Sequence, residues 1–246
     1  MTNLYTNKTS ILNLHRKMSS KSEVLTQMIY GDSFTIINKK TKWLKIKIKE
    51  DNYIGYIKTN KYLKYTKPTH KIHTLFANLY KNPNKNKKIG KLTFASKIKV
   101  DKKLKNFSKF ENKWIETKNI KPIKFRQKKI FSNIKIFKKT KYKWGGKSYK
   151  GLDCSALIQL FFNFNNRFCP RDAKDQIKYF KKNVNLKSIK KDDIIYWKGH
   201  VAVSISKKKL IHAYGPVKKT VEMDIAQTID LIKKTADLSV LSIKRI

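Results

Sequence analysis

Cys154 is followed by Leu157, Ile158, Phe161 and Phe162, the spacing of a single apolar helix face. Asp153 has the side chain of an N-cap, which puts Cys154 and Ser155 in the first turn of the predicted helix. Unpaired N–H groups and the positive end of the helix dipole meet there, so the thiol pKa is expected to fall. A free thiol titrates at about 8.5 and is only a few per cent thiolate at neutral pH, so a nucleophile needs that help or an adjacent base. His200 opens one predicted strand and His212 lies in the next. If those strands pair as a hairpin, one imidazole can act as base to Cys154 while the other fixes its tautomer, the logic of a cysteine hydrolase. A cysteine on an apolar stripe is also an ordinary core residue, and Cys/His triples recur by chance. Cys169, the second cysteine, makes no zinc motif with it, and His15, His70 and His73 read as surface or turn residues.

The elements that must hold these residues change character along the chain. Thr35–Asn38, the alternating Trp43–Ile48 and Tyr53–Ile57 read as strands. The same grammar returns over 92–100 and 114–117. It predicts two small meandering β-barrels, 23–66 and 67–122, the first preceded by an extension from residue 1. Ile130, Ile134 and Phe137 predict a helix within 125–139. After the nucleophile helix come a helix near 175–180 and strands over 193–197, 200–206 and 210–214, so 123–246 is expected to be α+β.

The chain has 246 residues with 59 Lys plus Arg against 16 Asp plus Glu, a formal charge of +43. An apolar content of 40% excludes a disordered chain, and the composition excludes collagen and coiled coil. Only five of the basic residues are arginine, whereas bidentate phosphate and guanine contacts favour Arg. Asn, Ile, Tyr and Phe, which share A/T-rich codons with Lys, are abundant too, so the charge reads as a solvated lysine skin. With no apolar run long enough for a signal peptide or a membrane span, the expected location is the cytoplasm.

Tyr142-Lys-Trp-Gly-Gly-Lys-Ser148 and Gly151-Leu-Asp-Cys-Ser-Ala-Leu-Ile-Gln159 closely resemble the nucleophile segment of the NlpC-type cell-wall peptidases. Cys169-Pro-Arg-Asp172 with Asp175-Gln176, then Asp193–Val203 and Leu210–Ala213, resemble the segments that follow, in the same order. Ser22–Gln27 and Asp51–Tyr56 resemble the first of two bacterial SH3-like domains in some family members, and Thr69–Lys71 with Leu79-Tyr80 the second. The implied layout is an extension plus first SH3-like domain over 1–66, a second over 67–122 and a papain-like peptidase domain over 123–246. The resemblance implies hydrolysis of the γ-D-glutamyl–diamino acid bond of peptidoglycan stem peptides. Cys154 would be nucleophile, His200 base and His212 orienter, with Tyr142 supporting the oxyanion. Asp153, Ser155, Glu23 and Tyr53 would bind a free N-terminal L-Ala, which suits murein peptide recycling. It implies no metal and no organic cofactor. Ala156 and Asp192 replace family glycines, at a cost to stability if φ at 192 is positive. A nucleic-acid-binding module and a non-catalytic wall-binding protein are the competing readings, and only the peptidase needs Cys154, His200 and His212 together.

Overall fold

The computed structural model describes residues 3–246; Met1 and Thr2 of the expected first segment lie outside the described residues. Alternation in the sequence becomes alternation in burial. Along Trp43–Ile48, Leu44, Ile46 and Ile48 face inward while Lys47 faces solvent. These side chains meet Leu14, Met28, Phe34 and Ile57 in one core. A seven-stranded antiparallel sheet surrounds it, in the order Val24–Ile29, Ile11–His15, Ile54–Lys58, Trp43–Ile48, Ser33–Lys40, Leu4–Thr6, Leu63–Lys64. The residues before Glu23, expected as an extension, are therefore part of the barrel, because Leu14 supplies its core and Leu4–Thr6 pairs with Ser33–Thr35. His15 is buried against the edge of Trp43 rather than lying on the surface.

The second unit holds a five-stranded and a three-stranded sheet built from residues 70–122. The run predicted over 92–100 is split into Lys88–Thr93 and Lys97–Ile98. Between them the chain turns, with Ala95 at a φ of 65°. The turn carries Phe94 out of its own sheet and onto Phe161 and Phe164, with ring centroids 4.9 and 4.7 Å away. A hydrophobic demand from outside the unit thus overrides the local strand pattern.

Residues 125–139 form successive turns and a 3₁₀ segment, Ile134–Phe137, in place of the predicted helix. The bonds run from each N–H to the carbonyl three residues back, as from Ile134 to Phe131 and Ile136 to Asn133. That tighter winding still buries Ile130, Ile134 and Phe137, so the apolar spacing was satisfied without an α-helix. Helix α1, Cys154–Phe164, and helix α2, Ala173–Tyr179, follow. The last sheet has six antiparallel strands in the order Lys182–Asn183, Ser242–Arg245, Ile194–Trp197, His200–Ser204, Lys209–Tyr214, Lys219–Asp224. One face, with Ile194, Tyr196, Val201, Val203 and Ile211, packs on α1. The other, with Ile195, Trp197, Ala202 and Leu210, is covered by helix α3, Ile225–Ala236, which Asp224 caps. Asp192 has a φ of 76°, the strained case foreseen for a non-glycine residue there. No helix among the described residues is long and apolar enough to cross a membrane.

Charge as well as apolar surface joins the three units. Lys97 Nζ, from the second, lies 2.7 Å from Glu50 Oε1 and 3.6 Å from Asp32 Oδ1, both from the first. The fully buried Lys147, from the third, lies 3.7 Å from Asp32 Oδ2. Burial would lower the Lys97 pKa, but Glu50 and Asp32 reverse that and hold it above its ordinary value. Such pairs add little net stability, yet separating them leaves charges stranded in a dry interface.

Candidate active site

Asp153 starts α1 as its N-cap, accepting from the Ala156 N–H at 2.9 Å. Its Oδ1 also takes Arg171 Nη1 at 3.0 Å and Ser155 Oγ at 3.2 Å. Its Oδ2 takes Arg171 Nη2 at 2.6 Å and the Gly145 N–H at 2.9 Å. A carboxylate has about four acceptor sites, so these donors saturate it. Asp153 therefore fixes the start of the helix and has no lone pair left for a substrate amine, a correction to the expected binding role. Ser155 is likewise turned inward, accepting from Arg171 Nη1 at 2.9 Å.

Cys154 is buried at the helix start, with Val201 and Ser155 backbone N–H groups favouring its anion. Burial and the neighbouring Asp153 carboxylate outweigh them, and the thiol is pushed up to about 12. The expected fall through the helix dipole does not occur in the free site, because burial strips the thiolate of water and, second to that, the capping Asp153 places a negative charge beside it.

His200 and His212 do lie together on paired strands. His200 Nε2 is 2.8 Å from His212 Nδ1, and His212 Nε2 is 3.3 Å from the Met223 sulfur. A thioether accepts and cannot donate, so His212 carries its proton on Nε2. Its bare Nδ1 then accepts from His200 Nε2–H, leaving His200 Nδ1 unprotonated, as a base requires. His212 is fully buried and stacks on Tyr214, with ring centroids 4.6 Å apart and planes 9° apart. Burial lowers His200 to about 4; burial, then His200, lowers His212 to about 3. At neutral pH the thiol and both imidazoles are therefore uncharged. Tyr142, half-buried with its ring over Gly215, is held above its ordinary pKa by burial and by the nearness of Cys154 and Asp153.

Cys154 opens into a cavity of about 270 Å³ whose walls also include Glu23, Tyr53, Asp153 and Ser155. The first barrel makes one wall. Thr26 Oγ1 accepts from Arg171 Nε at 2.6 Å, Gln27 Oε1 from the Lys147 N–H at 3.0 Å and Asp51 Oδ2 from Gln159 Nε2 at 3.0 Å. At Gly145, with a φ of 67°, a Cβ would stand 2.2 Å from the Val24 carbonyl oxygen, so only glycine allows the nucleophile loop to lie this close to the barrel. Exposed Glu23 accepts from Arg16 Nε at 2.6 Å and Trp144 Nε1 at 2.9 Å, and these bonds lower its pKa. The Tyr53 hydroxyl donates to Asp172 Oδ2 at 2.9 Å; burial and then Asp172 hold its pKa above the ordinary value.

Four residues of the site escaped sequence reasoning in their roles: Arg16, Arg171, Asp172 and Met223. A signal existed for the two arginines, since arginine is rare in this lysine-filled chain and its rigid fork does what lysine cannot. Asp172 lies in the Cys169–Asp172 resemblance but without an indicated role, and Met223 carried no signal, because their partners come from other segments.

A family model described as NlpC/P60 family matches residues 139–235, and one described as bacterial dipeptidyl-peptidase SH3 domain matches residues 14–61. Dipeptidyl-peptidase 6 of Lysinibacillus sphaericus is 34% identical over 74 residues, which cover 30% of this chain and 27% of that protein. A probable endopeptidase NlpC homolog of Haemophilus influenzae is 32% identical over 78 residues, 30% of this chain and 42% of that protein. The chain thus matches less than half the length of these curated relatives. The crystal structure of an NlpC/P60 family protein from Bacillus cereus superposes with a TM-score of 0.81 at 16% identity, covering 98% of this chain and 99% of that one. An NlpC/P60 endopeptidase from Photobacterium damselae superposes with a TM-score of 0.64 at 13% identity, covering 98% and 70%. These two likenesses concern the fold, which is shared along almost the whole chain. The third unit thus carries an NlpC/P60 domain over residues 139–235, and the first barrel carries a bacterial dipeptidyl-peptidase SH3 domain over residues 14–61.

Proposed function

We propose that the protein is a cysteine endopeptidase that hydrolyses the γ-D-glutamyl–diamino acid bond of peptidoglycan stem peptides bearing a free N-terminal L-Ala. The observation that carries this reading is the cavity: it holds Cys154, and the first barrel walls it with Tyr53 and Glu23. A cleft closed at that end suits a short amino-terminal segment better than a strand of polymeric wall. The relative named dipeptidyl-peptidase supports release of an N-terminal dipeptide. Asp172 takes the amine role first expected of Asp153. It is the acid in the cavity wall whose partner is a neutral hydroxyl, whereas Asp153 and Glu23 are each paired with an arginine. In this reading the catalytic unit is papain-like, the second β-unit is a further SH3-like domain, and the role is recycling of freed murein peptides in the cytoplasm.

The reaction runs in two halves. The Cys154 sulfur attacks the γ-carbonyl as its proton passes to His200 Nδ1, and the thiolate and imidazolium charges stabilise each other as they form. The oxyanion is met by the Cys154 backbone N–H and the Tyr142 hydroxyl. His200 returns the proton to the leaving amine, and a thioester remains. Water then adds to the thioester, giving its proton to His200; collapse releases L-Ala-D-Glu and the regenerated thiol. The lysine skin needs no nucleic-acid partner here, since a positive field draws an acidic peptide toward the cleft.

Incubation with L-Ala-γ-D-Glu-meso-diaminopimelate tests the reading. Mass spectrometry should find L-Ala-D-Glu with the wild type and none with Cys154→Ala. Absence of product from the wild type across about pH 6–9 would defeat the proposal.

A further inference from the structure

Arg16 stands in the cavity wall with most of its donors unused. Its backbone N–H is fixed to the Glu23 carbonyl at 2.9 Å, and its Nε to Glu23 Oε2 at 2.6 Å. The two terminal nitrogens make no hydrogen bond among the described residues. Asp172, in the same wall, uses Oδ2 for Tyr53 and caps no backbone N–H of α2 with its side chain. The cavity thus offers an anchored guanidinium edge and a carboxylate oxygen to one ligand, and it asks for a cation and an anion close together on that ligand.

In an ordinary peptide the α-carboxyl of the second residue is the scissile carbonyl itself, so no carboxylate is present there. In a γ-linked glutamyl residue the chain runs through the side-chain carboxyl, and the α-carboxylate is free to project beside the dipeptide. A planar fork matches a carboxylate with two parallel hydrogen bonds, a match that a carboxamide loses in part. Resting on the function proposed above, we infer that Arg16 reads the free α-carboxylate of the D-glutamyl residue. The enzyme then selects γ-D-glutamyl stem peptides over those amidated to D-isoglutamine. Lys174 also lines the cavity, but no partner fixes its exposed amine. The pre-oriented group is Arg16, held by Glu23, which is itself held by Trp144.

The test compares kcat/KM of the full chain on L-Ala-γ-D-Glu-meso-diaminopimelate and on its α-amidated D-isoglutamine analogue. The wild type should favour the carboxylate form by about 10-fold or more, the usual worth of hydrogen bonds to a charged group. Arg16→Gln should bring the ratio below about 2-fold, and Lys174→Gln should keep the wild-type ratio. Equal wild-type rates on the two peptides would overturn the inference and leave the peptidase reading standing. A preference that persists in Arg16→Gln, even with both rates lowered, would make Arg16 merely structural. No cleavage of either peptide by the wild type would defeat the peptidase reading and this inference together.

Discussion

The Met223 sulfur lies 3.3 Å from His212 Nε2 and, as an acceptor without a proton to give, decides which nitrogen of His212 is protonated. Through the 2.8 Å bond from His200, that choice leaves His200 Nδ1 as the basic atom. Met223→Leu keeps the volume and removes the acceptor. It should lower kcat by about 2–5-fold with little change in thermal midpoint, in keeping with the loss of one weak hydrogen bond. His212→Ala removes the relay itself and should cost about 10²–10⁴-fold. Nitrogen-15 spectra of the imidazoles give an independent check, since the tautomer of His212 should become mixed in Met223→Leu.

The pH profile should be displaced toward acid. His200 must be neutral to take the thiol proton, and its depressed value places the acid limb of kcat/KM near pH 4. Cys154, pushed up to about 12, contributes no enzymatic limb through neutrality, and the free protein should show no thiolate absorbance at pH 7. The fall on the alkaline side then belongs to the substrate, whose N-terminal ammonium deprotonates near about pH 8. An acid limb at about pH 6–7 would contradict the resting state described for the two groups.

Asp172→Asn should raise KM for free-amine peptides by about 10-fold or more with a smaller effect on kcat, as expected when binding loses a charged partner. Tyr53→Phe should do the same less strongly, since it removes the donor that orients Asp172. Against the wild type, an N-acetylated peptide should be a poor substrate, and Asp172→Asn should remove most of that disadvantage. Steady-state kinetics on the two peptides measures both effects.

Lys71 tests how the second unit serves the nucleophile helix. Its buried amine donates to the Phe164 carbonyl at the end of α1 and, at 3.3 Å, to Asn166 Oδ1. Lys71→Met should lower unfolding stability by about 1–3 kcal/mol, the cost of leaving the carbonyl unpaired. Burial lowers the Lys71 pKa to about 8, below its unfolded value near about 10.4. Between those values the unfolded chain binds more protons, so stability contributed by this group rises with pH. Urea titrations at about pH 7 and pH 10 should therefore show the wild type gaining on Lys71→Met at the higher pH.

Much of this was legible in the residues and some of it was not, for reasons that can be stated. Trp43–Ile48 and α1 were readable because each alternates or repeats against a core that its own unit supplies. The helix read into 125–139 was misleading, because spacing of three and four residues does not separate an α-helix from a chain of 3₁₀ turns. Phe94 broke its strand for a core in another unit. At the site, the nucleophile and both histidines could be named from local patterns. The saturation of Asp153 could not, because Arg171 and Gly145 reach it from outside the capping motif. Nor could the thiol's raised pKa, since the sign turns on desolvation, a property of the assembled interior.

The dry meeting of Asp32, Glu50, Lys97 and Lys147 bears on how such a chain can be inherited. A catalytic third cut away from its neighbours would carry an uncovered Lys147 and an open cleft, and Asp32 and Glu50 of the first barrel would be left to share Lys97. Exchange of one part for a foreign one would have to bring the matching charges with it, or it would strand the remaining ones in a dry interface.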